Sequence, residues 1–140
     1  MTNYVIDASV AIKWVVDEEG TSEALALRSC QLFAPELLVP ECANILWKKT
    51  RRRELSLEEA QLCARLLQRA DIELMPMRPL LEAAMRLAHT LDHPACDCVY
   101  LALAENLSCH FVTADARLSA KVLSAEGKSR ILPLTSIQAP

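Results

Sequence analysis

Residues 4 to 12 read YVIDASVAI, and the folding of this stretch decides the architecture. Tyr4, Val5 and Ile6 suit a strand, Ala8 to Ile12 suit an apolar helix, and Asp7 lies between them. An acid at such a junction fits the carboxyl end of a parallel strand, where open α/β sheets bind ligands. It also fits a helix N-cap, because Asp accepts hydrogen bonds from the free amides of a first turn.

Working outward, short β-branched runs alternate with longer helical ones. Strands are expected at about 3–6, 32–34, 72–75, 110–113 and 131–133. Helices are expected at about 8–16, 21–31, 37–53, 57–69, 79–91, 95–106 and 116–124. Ser56 with Glu59 makes a capping box, Ser22 can cap the second helix, and Pro94 separates the fifth from the sixth. This alternation implies right-handed crossovers between parallel strands, with helices on both faces. The fold predicted is a three-layer α/β/α sandwich around a short, mainly parallel five-stranded sheet, and 140 residues suit one domain over 1–140.

Composition narrows the function. Only two glycines occur, and neither a Walker nor a dinucleotide-binding loop is present. With no apolar run of transmembrane length and no signal-like start, a soluble, unsecreted chain is expected. Six cysteines, at 30, 42, 63, 96, 98 and 109, form no CxxC pair and fall mostly in apolar stretches, which fits a reducing cytoplasm. A net charge of −3 argues against coating nucleic acid with the whole surface, yet five of the fifteen Lys and Arg cluster in KKTRRR, residues 48–53. That run fits either a solvated helix end or a phosphate contact.

Four acids stand out. Asp7 and Asp115, in HFVTAD, lie at the ends of strands one and four, and meet at one edge if those strands are neighbours. Asp115 too fits an N-cap. Glu41 interrupts the apolar LLVPECANILW and shares a helix face with Ile45, while Asp97 opens CDCVYLALA and shares one with Leu101. Asp97 could also sit at a helix start, whereas Glu41 needs a buried partner such as an arginine or a cation. Carboxylates crowded on one site repel, and a divalent cation with oxygen ligands relieves them.

In this order and spacing, VIDASV, PECANILW, CDCVYLALAE and FVTADARL resemble the motifs of PIN-domain ribonucleases, in particular the VapC-type toxins of toxin–antitoxin pairs. The resemblance implies an endoribonuclease using one or two Mg²⁺ or Mn²⁺ ions, with Asp7, Glu41, Asp97 and Asp115 as the metal-binding, catalytic acids. It implies supporting roles for Ser9, Asn44 and Thr113, an RNA substrate, a VapB-type antitoxin and a homodimer. Asn44 shares a face with Glu41 at i+3, and Thr113 is equally a plain strand former. Given such a pocket, Lys48, Arg51 and Arg52 become candidates for holding phosphates. A leucine-rich helix pair at 57–69 and 79–91 offers a dimer interface, or simply core. Cys96 stands where the family often has a bulky residue.

Other readings of the same residues are weaker. His89 and His93 have a zinc-like i, i+4 spacing, but Pro94 follows and no adjacent acid is evident. His110 opens a strand. Trp14 and Trp47 are either core residues or stacking surfaces for bases. A receiver domain needs an acid pair after strand one, and a haloacid-type phosphatase needs DxD, whereas Asp7 is followed by Ala8 and Ser9. The alternative from another class is a non-catalytic PIN-like module that binds RNA or protein.

Overall fold

A computed structural model describes residues 1–125 and 130–139. Its five strands are β1 (Asn3–Ile6), β2 (Gln31–Pro35), β3 (Glu73–Met75), β4 (His110–Thr113) and β5 (Ile131–Pro133). They pair in parallel in the order β3-β2-β1-β4-β5, with Val5 opposite both Phe33 and Phe111. The helices are α1 (Ala8–Ala11), α2 (Thr21–Ala26), α3 (Leu38–Arg51), α4 (Leu57–Gln68), α5 (Leu81–Leu91), α6 (Ala95–Leu107) and α7 (Ala116–Ser124). Short 3₁₀ turns extend α1 and α2, so the expected helices at 8–16 and 21–31 each tighten toward their ends.

Alternation along the strands builds two cores. Val5, Phe33, Phe111 and Ile131 face one side and pack with α5, α6 and α7. Ile6, Leu32, Ala34 and Val112 face the other and pack with α1, α2 and α3. A satellite cluster of Ile12, Leu46, Ala60 and Cys63 seats α4 on the outside of α3. The three-layer sandwich expected from the sequence is thus the fold observed. The helix pair expected to form one leucine-rich face is not a pair: α4 packs on α3 and α5 on α6, on opposite sides of the sheet.

Local chemistry explains most of the boundaries. Ser56 and Glu59 form the expected reciprocal capping box of α4. Ser22 does not cap α2; Gly20 takes that place at φ +90°, and Thr21 instead accepts from the Glu18 amide and donates to the Val16 carbonyl. With glycine scarce, α5 and α6 end on Asp92 and Ser108 in the left-handed region, and Arg53 adopts it just beyond α3.

Candidate active site

Because β1 and β4 are neighbours at the centre of the sheet, Asp7 and Thr113 arrive side by side at its carboxyl edge. Thr113, fully buried, donates its hydroxyl to Asp7 Oδ2 at 2.5 Å, and Ser9 donates to Oδ1 at 2.5 Å. The Val10 amide adds a longer bond to Oδ1 at 3.3 Å, so Asp7 caps α1 as well. The two hydroxyls accept in turn, Ser9 from the Ala114 amide at 3.0 Å and Thr113 from the Asp115 amide at 3.1 Å. Groups from residues 7–10 and 113–115 therefore lock one carboxylate in place. Burial pushes the Asp7 carboxyl up to about 6; its three hydrogen bonds pull it down, and the charge of Glu41 adds to the rise.

Glu41 lies in the first turn of α3, at the positive pole of the helix. Its partner is not an arginine but the hydroxyl of Tyr100 on α6, which donates to Oε1. Tyr100 is buried and stacks on Phe111 of β4, with ring centroids 5.4 Å apart and planes 15° apart. Burial and the acids around it push the tyrosine hydroxyl far above its usual range, so it remains a donor. Burial raises the Glu41 carboxyl, the Tyr100 bond lowers it, and the charge of Asp97 raises it.

Asp97, in the first turn of α6, has its Oδ2 at 2.6 Å from His93 Nε2. His93 thus has an acid at i+4 after all, because Pro94 starts α6 instead of interrupting the geometry, while His89 is exposed and the zinc spacing is unused. The other ring nitrogen of His93 lies 3.5 Å from Lys121 Nζ, which donates to the Asp92 carbonyl at 2.5 Å. Asp115 is exposed and accepts from the Leu118 amide at 3.1 Å, the N-cap of α7. Asp7, Glu41 and Asp97 hence form an electrostatically coupled series, whereas Asp115 is tied to it through its backbone amide on Thr113 while its carboxylate caps α7.

The supporting residues divide. Ser9 and Thr113 touch the site directly, whereas Asn44, Lys48, Arg51 and Arg52 are exposed along the outer side of α3. Tyr100 and His93 are the members that the sequence reading missed. Their signal was the spacing around Asp97: Tyr100 follows at i+3 on α6, and His93 precedes it at i−4 in the turn before that helix.

Among the described residues, no cation is a hydrogen-bond partner of Asp7 or Glu41, and their oxygen atoms are ligands of the kind that Mg²⁺ and Mn²⁺ prefer. Among the described residues, no three His, Cys, Asp or Glu side chains converge into a ready-made metal cage.

Comparison with known proteins agrees with this frame. The PIN domain profile matches residues 4–122. Ribonuclease VapC9 of Mycobacterium tuberculosis and VapC ribonuclease Mb0985 of Mycobacterium bovis are each 30% identical over 115 residues, covering 82% of this chain and 87% of the relative. The crystal structure of PAE2754 from Pyrobaculum aerophilum superposes with a TM-score of 0.71 at 23% identity, over 96% of this chain and 85% of the other. VapC20 of Mycobacterium tuberculosis, a sarcin-ricin loop cleaving toxin, superposes at 0.63 with 14% identity, over 84% and 93%. Those two share the fold. With its strand-end acids inside the matched region, the chain belongs to the PIN domain family and is a VapC-type member of it.

Proposed function

We propose that the chain is a divalent-metal-dependent endoribonuclease, the toxin of a toxin–antitoxin pair, with Asp7, Glu41, Asp97 and Asp115 as its metal-binding acids. The observation that carries this reading is Asp7: a buried carboxylate, fixed at both oxygens by Ser9 and Thr113 and repelled by Glu41. A structural cap has no need of a second acid beside it, whereas a cation site does.

When bound, Mg²⁺ or Mn²⁺ supplies a hard Lewis acid that favours ionisation of water and offsets charge on the phosphodiester. The chain supplies the positioning. Ser9 and Thr113 hold Asp7 in one orientation, Tyr100 holds Glu41, and His93 holds Asp97. Lys48, Arg51 and Arg52, exposed beyond Glu41 on α3, suit the phosphates of RNA on either side of the cut.

A VapB-type antitoxin is the partner this reading expects. An apolar groove of about 570 Å³ between α3 and α4, lined by Leu38, Cys42, Leu46, Ala64 and Leu67 among others, suits an apolar segment of such a protein. We also propose a homodimer, for which exposed Leu62 and Leu66 on α4 or Leu81 and Met85 on α5 offer contact. Among the described residues no helix is long and apolar enough to cross a membrane, and all six cysteines are free, which supports a cytoplasmic setting.

The test is cleavage of a long, unstructured RNA by purified protein with Mn²⁺ or Mg²⁺, beside an EDTA control and an identically prepared Asp7→Asn variant. Metal-dependent cutting lost in the variant is expected. Cutting that survives both EDTA and the substitution would locate the activity elsewhere or in a contaminant.

A further inference from the structure

The chain's two tryptophans are used differently. Trp14 is half-buried, its indole N–H donating to the Ala24 carbonyl at 2.8 Å, with the Arg28 guanidinium 5.6 Å from the ring centroid. Trp47 is 51% exposed, and Arg51, one helical turn on, lies 5.0 Å over its ring. A tryptophan so open to solvent on a helix whose opposite side is packed has no part in the core.

Its neighbours define what could cover it. Asn44, Lys48, Arg51 and Arg52 are exposed with it, and of the five cations in residues 48–53 only Lys49 is in an ion pair among the described residues, with Glu18 at 3.3 Å and Glu54 at 4.0 Å. The strip therefore couples one aromatic face to unpaired positive charge. That combination fits a polyanion carrying flat apolar groups, which is single-stranded nucleic acid. Trp47 is six residues from Glu41 on the same helix, about 9 Å along the axis, within reach of a few nucleotides.

Building on the ribonuclease reading, we infer that Trp47 and Arg51 form a stacking platform for an unpaired base of the substrate, a few nucleotides from the scissile phosphate. Stacking engages the π-face that every base has, so the platform selects for single-stranded RNA over duplex instead of for a sequence. Lys48 and Arg52 hold the adjoining phosphates, and Arg51 both orients the indole and adds a planar cation to the stack.

The test measures binding of a short single-stranded oligoribonucleotide containing 2-aminopurine, with Ca²⁺ as the ion to avoid cutting, and of its duplex. The full-length wild type is compared with Trp47→Ala, Trp47→Phe and Arg52→Gln. Expected are loss of about tenfold or more in single-strand affinity for Trp47→Ala and a value near wild type for Trp47→Phe, with the duplex bound weakly by all. Tryptophan fluorescence should quench on binding in the wild type and not in Trp47→Phe, where only Trp14 remains. Arg52→Gln should lower the salt dependence without changing the quench. The platform is overturned if Trp47→Ala binds the single strand as tightly as wild type, and equally if its only effect is to turn a dimer into a monomer, which would make Trp47 a protein contact. A wild type that neither binds nor cuts RNA would remove the ribonuclease reading itself, and the platform with it.

Discussion

The hydroxyl of Tyr100 donates to the carboxylate of Glu41 across the gap between α6 and α3, with the tyrosine ring held flat against Phe111. The acid is thus oriented by a group whose own position is set by the central sheet. Tyr100→Phe removes the donor and keeps the ring. Divalent metal affinity should fall about 10- to 100-fold, as when other partners of metal ligands are removed. Mn²⁺ titration calorimetry reads this directly, and RNA cleavage should fall with it while the thermal midpoint stays close to wild type.

Asp7 makes the metal-free protein sensitive to pH. Unfolded, its carboxyl releases the proton near the ordinary aspartate value of 3.8; folded, it keeps it up to about 6. The folded state binds more protons inside that window, so stability falls as pH rises through it, by about 3 kcal/mol in total, and stays low above it. Glu41 shifts in the same direction. Urea unfolding in EDTA should therefore show greater stability near pH 5 than near pH 7, and Asp7→Asn should flatten most of that slope.

Asp115 separates two roles that share one side chain. Asn is as good an N-cap as Asp, so Asp115→Asn should keep α7 and the unfolding midpoint while removing the charge. Asp115→Ala should in addition lose about 1 kcal/mol of stability. If Asp115 is a metal-site acid, both variants lose cleavage alike; cleavage that tracks stability instead would leave it as a cap alone.

His93 holds Asp97 from the preceding turn. His93→Ala should weaken Mn²⁺ binding about tenfold, the scale of losing such a partner, and His93→Gln should restore part of it by offering an amide donor. Equal Mn²⁺ affinity in all three proteins would show that Asp97 needs no such support.

Much of this was legible in the sequence because the fold rests on local signals. YVID, FVTAD and the alternation of strands with helices gave the sheet and put two acids at its edge. Continuous burial at the carboxyl ends of β1 and β4, on both faces of the sheet, matches the unbroken apolar runs that central parallel strands require. Pairwise chemistry between elements was less accessible. Nothing local says that Tyr100 reaches across to Glu41, 59 residues away. His93 was masked by Pro94, read as a barrier when it is the start of α6. Ser22 looked like a cap because its type is right, but the conformation of Gly20 places the helix start two residues earlier. The leucines of α4 and α5 share a composition, not a surface, since the crossovers send the two helices to opposite faces.

The strand order has a temporal meaning too. β1, made first, lies between β2 and β4, and the hydroxyl that fixes Asp7 Oδ2 comes from the last residue of β4. A nascent chain lacking residues 110–113 has one bare edge on β1, no surface for Tyr100 to stack on and no Thr113. The bond from Thr113 to Asp7 and the stack of Tyr100 on Phe111 can therefore form only once most of the polypeptide has left the ribosome.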